Sequence, residues 1–159
     1  VRARRLNDPA DADALRFQKL VLESQAHLGI LIEDDGQSCA VFDERGQLLP
    51  PSSLIPMFAA LALSESTGGT VLVPEAADPA QAIHIGRLGG RCLMVRPTPA
   101  TITRKLIEHH AVFAADGLGR YWFHDGSPSC DAILTLAKTL QALSRSDAEF
   151  SIVAGPPAT

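Results

Sequence analysis

The feature that most constrains this chain is the alternation of short, continuously apolar runs with longer segments of helical spacing. "TVLVP" (70–74), "RCLMVR" (91–96) and "AVFAAD" (111–116) are brief, bounded by glycine or polar residues, and rich in the residues strands favour. Between them lie "DPAQAIHIGRLG" (78–89), with Pro79 placed for a first helical turn, and "TITRKLIEHH" (101–110). Strands that alternate with helices in this way build a sheet covered by helices on both faces. The expectation is a three-layer α/β/α domain with a mixed β-sheet between helices.

The flanking segments fit that frame. "DADALRFQKLVLESQAHL" (11–28) predicts a helix, with Leu15, Leu20, Val21 and Leu22 at mostly helical spacing and Asp11 or Asp13 able to cap its start. "GILI" (29–32) reads as a strand covered on both faces. "CAVFDERGQLLP" (39–50) reads as a hairpin running out over 39–42, turning over 43–46 and returning over 47–49. A helix through "PSSLIPMFAALALSES" (51–66), capped by Ser52 or Ser53, tolerates Pro56 in its first turn and ends at Gly68 and Gly69. "YWF" (121–123) returns as a short strand, with Tyr121 and Trp122 as packing residues, and "CDAILTLAKTLQALSRS" (130–146) closes the domain as an amphipathic helix capped by Asp131. One domain is expected over 1–159, its core about 10–148, with 149–159 a tail of linker composition.

Composition excludes several classes of function. With 46% hydrophobic residues, 159 residues can bury a core, and a net charge of −4 spread along the chain leaves no basic face for nucleic acid. No apolar run approaches the length of a membrane span. Cys39, Cys92 and Cys130 are odd in number, widely spaced and without a CxxC pair or zinc-spaced histidines, which points to incidental thiols in a reducing cytoplasm. The first residues, "VRARRLNDPADADA", lack both methionine and a signal-peptide core, so a fragment or trimmed chain is expected.

Chemistry in such a sheet gathers on loops beyond the carboxyl ends of strands. Two loops qualify: "EDDGQS" (33–38) and "ADGLGR" (115–120), which could lie side by side at one rim. In the first, the alternate residues Glu33, Asp35 and Gln37 can turn oxygens to one side of an extended loop, a pattern open to two readings, a Mg²⁺ site or a solvated acidic turn. Among other polar residues, His109 and His110 close a helix, where a cation is favoured, and His124 with Asp125 belongs to the turn "HDGSP". "GRLGGR" (86–91) follows a helix and precedes a strand, the wrong order for a dinucleotide loop.

"LGI" (28–30), the acidic glycine loop, "CAVFDERGQLLPP" (39–51) and the run from "VFAADG" to "YWF" together resemble the third domain of the α-D-phosphohexomutases, the phosphomannomutase and phosphoglucomutase group, over roughly residues 10–148. The resemblance implies one α/β/α domain of a four-domain protein whose members move a phosphoryl group between the 1- and 6-positions of a hexose through a phosphoserine and bound Mg²⁺. It implies the other mutase domains of the same protein as partners and a hexose phosphate as ligand. The family's metal loop reads Asp-Gly-Asp-Gly-Asp-Arg. The corresponding positions here are Glu33, Asp34, Asp35, Gly36, Gln37 and Ser38, so only Asp35 and Gly36 match, and Mg²⁺ binding is expected to be weak or lost. If the second position requires positive φ, Asp34 carries a conformational cost.

The sugar-reading signature Gly-Glu-x-Ser-Gly-His is altered as well. Asp116 stands at the glutamate and Leu118 at the serine, followed by Gly119 and by Arg120 at the histidine. Asp116, Gly117, Gly119 and Arg120 are therefore the expected substrate-binding set, with Leu118 unable to bond a hydroxyl and Arg120 either a phosphate partner or a solvated charge. Two functions follow from the resemblance: a phosphohexomutase-like domain with impaired or lost catalysis in this segment, or a noncatalytic phosphosugar-binding or assembly domain. No catalytic residue is assigned within the chain.

Overall fold

The computed structural model describes residues 12–124 and 128–155. In chain order the elements are α1 (Ala12–Glu23), β1 (Leu28–Ile32), β2 (Cys39–Asp43), a 3-10 turn (Pro51–Leu54), α2 (Ile55–Glu65), β3 (Thr70–Pro74), α3 (Pro79–Arg87), β4 (Arg91–Val95), α4 (Pro99–Glu108), β5 (Ala111–Ala115), β6 (Tyr121–Phe123), α5 (Ala132–Ser144) and α6 (Phe150–Val153). Four strands form a mixed sheet in the order β4-β3-β5-β6, with β3 parallel to both neighbours and β6 antiparallel to β5. The expected α/β architecture with a mixed sheet and flanking helices is the one the chain adopts.

Strand alternation sorts the side chains into two layers. Val71, Val73, Phe113, Ala115, Tyr121 and Phe123 join the main core with α2, α5 and Ile85 of α3. Leu72, Ala114 and Trp122 belong to a second cluster with Ile102 and Leu106 of α4. Phe58 anchors the main core, its ring 5.0 Å from Tyr121 and 5.2 Å from Phe123. These edge-on contacts add to the large area each ring removes from water.

β1 and β2 form a separate antiparallel pair, Leu28 opposite Asp43 and Ile32 opposite Cys39. β2 places Cys39 and Val41 in the main core and Ala40 and Phe42 against α1. Residues 33–38 are thus the turn of a hairpin. Beyond β2 the chain turns back at Gly46 and meets it through a single bridge, Phe42 with Leu48.

Several local expectations change. α1 buries Ala14 and Val21, with Phe17 packed beside them, while Leu15, Leu20 and Leu22 are exposed; the apolar side chains at positions 14, 17 and 21 share a face that the leucines do not. Asp11 lies outside the described residues, and Asp13 is inside the first turn. β1 is only half-buried, because a hairpin packed by one helix leaves partial exposure. Neither Ser52 nor Ser53 caps α2, since a 3-10 turn precedes it and Ser53 Oγ donates to Pro50 O. The tail expected from residue 149 onward is folded as far as Gly155, with Phe150 and Ala154 buried in the main core. Residues 156–159 lie outside the described part.

Candidate functional site at the carboxyl rim

The loop after β5 lies at the carboxyl end of the parallel strands, where α/β sheets place ligands. It rests on β3: a Cβ on Gly117 would stand 3.2 Å from Pro74 Cγ. The hairpin turn at 33–38 meets it directly, as expected of the two loops. Ser38 and Arg120 form an antiparallel bridge, and Cys39 N–H donates to Gly119 O at 3.0 Å. From the other side, Ala132 N–H, at the start of α5, donates to Gly36 O at 2.9 Å. Asp131 caps that helix as expected, accepting from Ile133 N and Leu134 N.

Within the turn, Asp35 organises its own backbone. Its Oδ1 accepts from Gln37 N at 2.8 Å, from Ser38 N at 3.2 Å and from Ser38 Oγ at 3.3 Å. Those bonds, the one from Gln37 N–H foremost, and the neighbouring Arg120 guanidinium hold its carboxyl below the ordinary aspartate range. Gly36 supplies a positive φ of 66°. Asp34 has no positive φ, since Gln25 and His110 are the non-glycine residues with that conformation among those described, so the strain considered for Asp34 does not arise.

Asp116 plays the same part in the second loop. Its Oδ1 accepts from Leu118 N at 2.7 Å and from Arg120 N at 3.1 Å, across Gly117 and Gly119, both at positive φ. Its side chain is 0% exposed. Between the loops lies Arg120: Nη2 is 3.3 Å from Asp35 Oδ2 and Nη1 is 3.5 Å from Asp116 Oδ2. Burial opposes the Arg120 charge, but the hydrogen bond to Asp35 and the charges of Asp116 and Asp35 raise its pKa above the ordinary arginine value.

The expected metal set is brought to this rim with the expected sugar set. Among the described residues, no three His, Cys, Asp or Glu side chains group so as to hold a metal. Asp35 is occupied by its own turn and by Arg120, and Gln37 Oε1 receives the Cys130 thiol at 3.5 Å. A hard cation needs several converging oxygens, and a guanidinium already faces the outer oxygens of Asp35 and Asp116. As arranged, these donors do not fit Mg²⁺. The contribution of Ser38 and Cys130 was not read from the sequence. The only signal for the Arg120 contacts was a lone base facing the acids Glu33, Asp34, Asp35 and Asp116 across the two loops.

No family model matches the sequence. The chain is 22% identical over 138 residues to a probable phosphoglucosamine mutase of Pyrococcus horikoshii, a match covering 87% of this chain and 31% of that protein. It is 27% identical over 138 residues to a phosphomannomutase/phosphoglucomutase of Pseudomonas putida, covering 82% and 30% respectively. The crystal structure of a phosphoglucomutase/phosphomannomutase family protein from Burkholderia thailandensis superposes with a TM-score of 0.84 at 25% identity, over 96% of this chain and 34% of that one. The chain is similar to phosphohexomutase-family proteins in both sequence and fold. A phosphomannomutase structure from Thermus thermophilus, at 13% identity and a TM-score of 0.77, shares the fold. The chain spans about a third of the length of these relatives. Among its described residues, no helix is long and apolar enough to cross a membrane.

Proposed function

We propose that the chain is the third α/β/α domain of a phosphohexomutase-like protein and that this segment does not carry a Mg²⁺-dependent step of hexose 1-phosphate/6-phosphate interconversion. Its partners are the other domains of the same protein, in a cytoplasmic setting that suits its three free thiols. The observation that carries the reading is the Arg120 guanidinium lying between Asp35 and Asp116. A Mg²⁺ ion arriving there has to displace a cation that is covalently tethered and loses no translational freedom on binding.

The same contact favours an assembly role over phosphosugar capture by this domain alone. The two loops carry four carboxylates, Glu33, Asp34, Asp35 and Asp116, against the one guanidinium of Arg120. An incoming phosphate meets net negative charge. Leu118, exposed on the second loop, offers no side-chain hydrogen bond to a sugar hydroxyl.

The test is calorimetric titration of the chain with Mg²⁺, with and without glucose 1-phosphate, beside an assay for hexose 1-/6-phosphate exchange. The expected result is neither sub-millimolar Mg²⁺ binding nor turnover. Either one, observed in the parent chain, overturns the proposal.

A further inference from the structure

We infer that Arg120 is the resident cation of this rim, and that removing its guanidinium converts the rim into a divalent-cation site built on Asp35 and Asp116. The argument starts from the four carboxylate oxygens. Both Oδ1 atoms are consumed by backbone donors of their own loops: Gln37 and Ser38 for Asp35, Leu118 and Arg120 for Asp116. Both Oδ2 atoms face the guanidinium, Asp35 at 3.3 Å and Asp116 at 3.5 Å.

Asp116 decides the matter. Its side chain is 0% exposed, yet its Oδ2 accepts no hydrogen bond, so Arg120 supplies the charge opposite it. A buried carboxylate left without a counter-charge is strongly unfavourable. Arg120 is held in turn by the Nη2 hydrogen bond to Asp35 Oδ2 and by the charge of Asp116, while its buried Nε makes no hydrogen bond. Taking the guanidinium away leaves two fixed anionic oxygens around a space about the size of the lost group. Hard cations bind carboxylate oxygens and complete their shell with water, so the vacated space suits one. The loop backbones that hold both carboxylates in place do not depend on the arginine side chain.

The inference rests on the functional reading above in one respect, that the parent rim holds no metal, and the experiment separates the two. Trp122, the sole tryptophan, lies two residues beyond Arg120 in β6, so sensitised Tb³⁺ luminescence reports cation binding at the rim. Parent, Arg120→Ala, Arg120→Lys and Arg120→Ala/Asp116→Asn chains are titrated with Tb³⁺, competed with Ca²⁺ and Mg²⁺, and unfolded in urea with and without Ca²⁺. Arg120→Ala is expected to unfold at least tenfold more readily than the parent without a cation, to recover with Ca²⁺, and to bind Tb³⁺ at least tenfold more tightly. Arg120→Lys, which keeps a tethered charge, is expected to bind like the parent. The double variant is expected to fold and to lose the gained affinity.

Equal stability of parent and Arg120→Ala, equal Tb³⁺ affinity of the two, or undiminished affinity in the double variant overturns the inference. Tight binding by the parent overturns the functional reading instead.

Discussion

At the scale of single residues, two glycines show how different physical demands produce the same letter. Gly29 lies in β1 under α1, and a Cβ there would overlap Val21 Cγ2 and stand 2.8 Å from Phe17 Cε1. Gly36 has open space around its Cα but a φ of 66°. Gly29→Ala is therefore an overpacking change, expected to cost about 1–3 kcal/mol unless Phe17 and Val21 shift. Gly36→Ala carries only the left-handed backbone penalty, about 1 kcal/mol. Urea unfolding of both variants checks the ranking, and a Gly36→Ala chain less stable than Gly29→Ala would show that the hairpin turn is under more constraint than its contacts indicate. The Gly36 turn was legible in the sequence, since an acid-rich stretch with glycine marks one. The Arg120 contacts were not. Asp116 and Arg120 are four residues apart, but Asp35 and Arg120 are 85 apart, and no local pattern brings such a pair together.

At the scale of elements, segments longer than about nine residues, and strands with clear flanks, were readable because period and punctuation agree. β3 matches its expected bounds, and α3 starts at Pro79 with Asp78 capping through Ala80 N at 2.8 Å. α6 was missed for a physical reason: four residues display no period, and the Gly and Pro that follow resemble a linker. Its attachment is carried by one ring. The Arg45–Glu149 ion pair is more than half exposed at both ends, where water screens it and little stability results. Glu44 accepts from Ser151 Oγ at 2.6 Å and from Ser151 N at 3.0 Å, which orients the start of the helix. Phe150, 1% exposed in the main core, outweighs both. Phe150→Ala is expected to cost about 3–5 kcal/mol, and Arg45→Ala far less, because its ion pair is screened by water. Comparable urea midpoints for the two variants would mean that α6 is held from its surface rather than through the core.

At the scale of the whole molecule, four groups with shifted titration, Asp35, Cys39, Arg120 and Tyr121, lie where β2, β6 and the two loops meet, so pH reads the integrity of that junction. Burial, reinforced by the charge of Glu33, pushes the Cys39 thiol up to about 12. Burial also raises Tyr121, whose hydroxyl donates to Pro51 O at 2.9 Å, well above the ordinary phenol value. A group whose folded pKa is raised contributes stability that is whole below its unfolded pKa and is lost as pH climbs toward the folded one. For Cys39 that window opens near pH 9 and closes near pH 12, at about 1.4 kcal/mol per pH unit. Asp35 has the opposite sign: its lowered carboxyl contributes stability above about pH 4, lost as pH falls through its folded value. Stability should therefore hold between about pH 5 and 8 and fall on both sides. By about pH 11 the Cys39 share of the alkaline loss is about 3 kcal/mol, with Tyr121 adding to it above about pH 10. Cys39→Ala leaves a small cavity and lowers stability at pH 7, yet its urea midpoint should decline less steeply than the parent's from pH 9 to 11. Parallel declines in the two chains would show that the Cys39 thiolate reaches water without unfolding, so that the β2 junction opens locally before the domain does.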